Sequence, residues 1–149
     1  MRRFILLSLL LFTCVGAWGQ LNVKSKSAGP EDIATALPSK AKLAHLEGRG
    51  YLMLLVSSNR FDKGGYFLLG EELDGAIRTL DDLLDLYGSL GDGNVTVEPW
   101  PGRTCLIRCS DRPGWLILKF SNHAGICEVL DEDLAKFRAA LEARKNPEP

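Results

Sequence analysis

The feature that most constrains this chain is a pattern written twice. From residue 48 the first copy reads Gly-Arg, then YLMLLVS (51–57), a polar loop, GYFLL (65–69), and AIRT followed by LDDLLDLYGSL, ending at Leu90. The second reads Gly102-Arg103, TCLIRCS (104–110), a shorter loop, GWLIL (114–118), and GICEV followed by LDEDLAKFRAAL, ending at Leu141. The stretch from Gly65 to Ile77 has the same spacing as that from Gly114 to Ile126. Such a chain must fold as two like units or as one domain built from them.

Each copy predicts strand, strand, short strand, helix. The runs 51–57 and 104–110 are short, β-prone and bounded by turn formers, and SDRPG (110–114) is a turn signal between two such runs. In the first copy Thr79 stands as a helix cap with Asp81 and Asp82 in the first turn, and Leu80, Leu83, Leu84 and Tyr87 share a face. In the second, Asp131 is the capping candidate, Leu134, Phe137 and Leu141 make the stripe, and Arg144 and Lys145 suit the helix C-terminus. Both helices need a sheet to cover.

The expected fold is therefore α+β: a tandem βββα repeat forming one pseudo-symmetric domain, with antiparallel sheet or sheets flanked by two helices. Repeat one spans 48–91, a connector 92–101, and repeat two 102–145, within a single domain over 48–149. Val95 and Val97 offer one further strand. At the level of element order and glycine, aromatic and leucine positions over residues 48–141, the chain resembles the tandem sheet-plus-helix repeats of the PUR and PC4-like single-stranded nucleic-acid binders. That resemblance implies a nucleic-acid function. Against it stand strands with few Lys or Arg and an acidic charge balance, so no binding residues are carried over and no nucleic-acid partner is expected.

The N-terminus predicts export. Arg2 and Arg3 precede an apolar run, 4–12, and the small residues Ala17 and Gly19 stand where a signal peptidase requires them, giving a signal peptide over 1–19. An uncleaved anchor is the alternative, although 4–19 is shorter than the roughly 20 residues that span a bilayer. Lipidation at Cys14 is another, with Phe12 and Thr13 larger than such signals prefer. Processing would remove two of 18 basic residues and leave 16 against 19 acidic ones. The product would be secreted or periplasmic, without a further membrane span. Residues 20–47 read as a polar tether. Ile33, Leu37, Leu43 and Leu46 fit a short helix interrupted by Pro38.

Chemistry is sparse. Cys105, Cys109 and Cys127 are an odd set after processing. Cys105 and Cys109 would share one strand face about 13 Å apart, too far to bond, and either could meet Cys127 only across neighbouring strands. With His123 they have the donor types of structural zinc, but not its paired knuckles. His123 near Cys127 lacks an orienting acid or oxyanion hole. Glu71, Glu72, Asp74, Asp81, Asp82 and Asp85 lack a calcium-loop pattern. Asn94-Val95-Thr96 is a glycosylation sequon under eukaryotic secretion. Trp100, between two prolines, suits an exposed contact, whereas Tyr66 and Trp115 occupy matching positions expected in the core.

No catalytic, cofactor or metal site is assigned. The leading expectation is a non-enzymatic exported binding or interaction module for a protein or small ligand. A small enzyme or metal protein using His123 and the cysteines, and a single-stranded nucleic-acid binder, are the alternatives.

Overall fold

The computed structural model describes residues 29–61 and 64–147. The expected signal segment 1–19, with Cys14, and residues 20–28 lie outside the described residues. The fold is α+β, with two antiparallel four-stranded sheets and two helices. The first sheet is a meander of β1 (Glu31–Thr35), β2 (Lys42–Leu46), β3 (Gly50–Leu55) and β4 (Gly65–Gly70), followed by α1 (Leu73–Ser89). The second runs β5 (Asn94–Trp100), β6 (Arg103–Cys109), β7 (Trp115–Phe120) and β8 (Cys127–Leu130), followed by α2 (Asp131–Lys145).

Several expectations are corrected. The tether with its short helix is instead, over most of its C-terminal half, the hairpin β1–β2. Its turn closes through Ala36 N donating to Ala41 O (2.9 Å), and Leu43 and Ala44 are both fully buried. Leu37, counted in the helical spacing, is exposed at that turn. A strand covered on both faces shows no alternation, which is why KLAHL gave no strand signal. The connector 92–101 is mostly β5, as its two valines allowed. AIRT is not a strand: it lies inside α1, which starts six residues before the expected cap. Leu73, Ala76, Ile77 and Leu80 carry the apolar stripe back past Gly75. Thr79 is mid-helix, and its hydroxyl donates to Leu69 O (2.6 Å) and Gly75 O (3.1 Å), tying the helix to β4. Asp131 misses the capping position by one residue, since Leu130 precedes the first turn.

Each half therefore carries four strands and a helix. The written repeat aligns β3 with β6 and β4 with β7, whereas chain order pairs β3 with β7 and β4 with β8. The sequence likeness is shifted by one strand from the topological one, and the matching Gly-aromatic-aliphatic runs fall on an edge strand, β4, in the first sheet and on an inner strand, β7, in the second.

One core joins both halves. Leu43, Met53 and Phe67 form a row across β2, β3 and β4. Ile107, Leu118 and Cys127 form another across β6, β7 and β8, with Cys105 beside Phe120. Leu80 of α1 and Leu134, Phe137 and Leu141 of α2 complete the same buried cluster. The sheets also touch edgewise, through a Ser57–Cys127 bridge and Ser58 N donating to Ile126 O (2.7 Å). The helices lie antiparallel, because Asp81 pairs with Arg138 while Asp74, one end earlier, pairs with Lys145 (2.8 Å). These exposed pairs fix alignment more than stability.

Gly65 marks the closest approach of β4 to the second sheet, since a Cβ there would overlap the Phe120 ring. Gly65→Ala is expected to cost about 2 kcal/mol by overpacking. Trimming the ring in Gly65→Ala/Phe120→Leu should recover part of that loss. Urea unfolding of the four variants checks it; simple additivity would show that the ring is not the obstacle.

Candidate functional site

Alternation along β4 puts Gly65, Phe67 and Leu69 inward, and therefore Tyr66 and Leu68 outward. The register carries this outward face across the sheet: Lys42, Leu54 and Tyr66 stand in one row, Ala44, Leu52 and Leu68 in the next. Tyr66 is 51% exposed, which corrects its expected core placement. Trp115, its expected partner in the core, is half-buried under the Arg112 guanidinium (4.3 Å). An inward aromatic was inferred from the repeat, but the one-strand shift breaks that equivalence.

The outward face is overhung by the tip of the β5–β6 hairpin. Trp100 and Arg103 are partners across that tip, where Gly102 adopts φ 76° and Glu98 Oε1 accepts from its N–H (3.0 Å). Between hairpin and sheet lies a half-open apolar cavity of about 360 Å³. Its floor is Leu46, Leu52 and Leu54, its walls Tyr66 and Trp100, and Arg103 stands at its rim. Arg49, from the β2–β3 turn, stacks over Trp100 at 5.3 Å and holds the indole in place.

A second cavity of about 230 Å³ adjoins the first across Leu54 and Tyr66, which line both, and the two together are called the trough. Its walls include Lys40, Lys42 and Val56. Among the described residues no carboxylate lines either part. About half of the described cations elsewhere are paired, among them Arg112 with Glu128, Arg138 with Asp81, Arg144 with Glu31 and Lys145 with Asp74, while Arg49, Arg60, Arg78, Arg108 and Lys119 have no ion pair among the described residues. Among the described residues Lys40 and Arg103 have no ion-pair partner, and Lys42 meets Asp32 at 3.6 Å. An apolar channel with surplus positive charge favours ligands that combine an apolar body with an anion.

The residues singled out for chemistry lie elsewhere. Cys105 and Cys127 share the inward face of the second sheet, but β7 separates their strands. Two strand spacings put them about 10 Å apart, beyond disulfide reach. Cys109 is half-buried at the far end of β6. His123 sits in the β7–β8 turn with its ring edge-on to Phe120 (5.8 Å). Among the described residues no three His, Cys, Asp or Glu side chains gather as metal ligands. Asn94 is exposed at the start of β5. No described helix is long and apolar enough to cross a membrane.

Burial pushes the Cys105 thiol from 9.0 up to about 12, with Cys127 adding to the shift. The Tyr87 phenol is also raised, first by burial and then by the Asp131 carboxylate; its hydroxyl donates to Val129 O (2.9 Å). Both groups hold their protons more tightly folded than unfolded. Their contribution is thus complete below pH 9 and lost as pH rises toward 12. Urea midpoints are expected to fall through that window, less steeply in Cys105→Ala; equal slopes would exclude this thiol as a source.

No protein-family model, curated protein or solved structure matches the chain.

Proposed function

We propose that this protein is a non-enzymatic binding module that works after export, and that its ligand face is the trough on the outer side of the first sheet. The observation that carries the reading is the joining of an apolar floor, two aromatic walls and a cationic rim in one open channel. A structural surface has little reason to expose Tyr66 beside Val56 on one side and Trp100 on the other. We also propose that the two four-strand-plus-helix halves descend from one duplicated unit and form a pseudo-symmetric domain. The repeated element order and the shared core support this. Only one half carries the trough, so the second half serves as its scaffold and lends it the β5–β6 tip.

A nucleic-acid reading gains one supporting observation, since aromatics among cations also suit single strands. The expected export signal opposes it. Reading the chain as an enzyme or metal protein gains none from the placement of His123 and the cysteines.

The test is titration of the processed chain, beginning at Gln20, with the uncharged apolar dye Nile red. Tyr66→Ala/Trp100→Ala is expected to weaken dye binding at least tenfold while leaving the far-UV circular dichroism unchanged. Undiminished dye binding in that variant would move the ligand face elsewhere.

A further inference from the structure

Resting on that reading, we infer that the trough takes a single-headed anionic amphiphile: an unbranched long-chain carboxylate lies with its tail on Leu46, Leu52 and Leu54 and its head between Lys40 and Lys42.

Three observations select this occupant. The first concerns the floor. Strands β2 and β3 spend their backbone N–H and C=O groups on neighbouring strands, and β4 spends those of its inner edge on β3, so the face over Leu46, Leu52 and Leu54 presents side chains only. A peptide laid there would bring polar backbone groups to a surface that cannot receive them. A hydrocarbon tail brings none. The second concerns polarity along the trough. The wider part, beneath the hairpin tip, is predominantly apolar, while the narrower part beyond Tyr66 carries both lysines. Arg103 is exposed at the rim of the apolar part, and a side chain of this kind can lay its methylene stem on an apolar wall while its guanidinium stays in water. The molecule that matches this order has one charged end and one apolar end.

The third is charge balance at the head. Lys40 has no acidic partner among the described residues, and Lys42 shares its charge with Asp32. Among the described residues, two ammonium groups and one carboxylate leave a single positive charge, which one carboxylate head neutralises. A phosphate monoester would leave an excess negative charge among them, and neither an arginine fork nor a helix N-terminus among the described residues lines that end to receive it. A nucleic-acid strand would need several such cation pairs in a row.

The processed chain is titrated, below the micelle concentration, with dodecanoate, dodecyltrimethylammonium and dodecyl phosphate, following Trp fluorescence and calorimetric heat. Dodecanoate is expected to bind at least tenfold more tightly than the cationic amphiphile of equal tail. Lys40→Glu/Lys42→Glu should abolish or invert that preference while binding of the uncharged dye Nile red persists. Equal affinity for both heads, with dye binding intact, overturns the carboxylate assignment and leaves the trough as the ligand face. Tighter binding of dodecyl phosphate, or binding only of an acidic peptide or oligonucleotide, also overturns it. Failure of every amphiphile and of the dye overturns the trough itself.

Discussion

Phe137→Ala is expected to remove a large part of the stability of this fold, about 3–5 kcal/mol. Phe137 projects from the middle of α2, has no exposed surface, and is the largest fully buried side chain among the described residues. Truncation would leave a cavity bounded by groups from both sheets and from α1, and rigid strands on two sides give little room for collapse. Domains of this size have roughly 5–15 kcal/mol in total, so the urea midpoint should drop by a large fraction. Phe61→Ala is the matched control: that ring is 81% exposed and its loss should change stability by no more than about 0.5 kcal/mol. Because one apolar cluster joins the halves, tryptophan fluorescence and far-UV circular dichroism should report a single transition. Two separated transitions, or a Phe137→Ala loss below about 1 kcal/mol, would show that the halves are stable apart.

What could be read in advance divides along lines of local against non-local information. The helical stripes Leu80–Leu83–Tyr87 and Leu134–Phe137–Leu141 were legible because each is a local periodicity. So were the β-prone runs YLMLL, GYFLL, TCLIRC and WLIL, each bounded by turn residues. The hairpin β1–β2 was not, because Leu43 and Ala44 are buried on opposite faces and cancel the alternation that marks a half-exposed strand. The misread start of α1 came from Gly75, which resembles a loop residue but sits on an open helix face where no side chain is missed.

The trough was illegible for a different reason. Tyr66 and Trp100 are 34 positions apart in the numbering, and Lys40 belongs to a segment that read as tether. Only sheet register and the overhang of the β5–β6 tip bring them together. One signal was available: in GYFLLG, an inward Phe67 obliges Tyr66 to point outward. The repeat drew attention away from it by equating Tyr66 with Trp115.

Asp133 supplies the second large effect, and it is one that apolar patterning never marks. It lies in the first turn of α2 and is fully buried. Its Oδ2 accepts from the Ser39 hydroxyl (2.5 Å) and from Ser39 N (3.3 Å), at the turn between β1 and β2. Ser39 Oγ in turn accepts from Ala41 N (3.3 Å), so the carboxylate organises the whole turn. Oδ1 has no hydrogen bond among the described residues and lies 3.6 Å from Lys136 Nζ, one helical turn on. The carboxylate thus links the end of the chain to its beginning, 94 positions away, and holds the hairpin that carries Lys40 and Lys42. Hydrogen bonds to a charged group contribute about 1.5–3 kcal/mol, and a partner left unpaired in a buried place adds to the loss. Asp133→Ala should therefore cost about 3 kcal/mol, Ser39→Ala about 2 kcal/mol, and the double variant less than their sum by about 1–2 kcal/mol. Asp133→Asn, which keeps an acceptor but loses the charge, should fall between wild type and Asp133→Ala. Hydrogen exchange at Ala41 N in these variants separates a latch from a general loss of packing. A latch predicts that its protection falls well before that of the Leu116–Leu118 strand, whereas equal losses at both places would show that Asp133 acts only through α2.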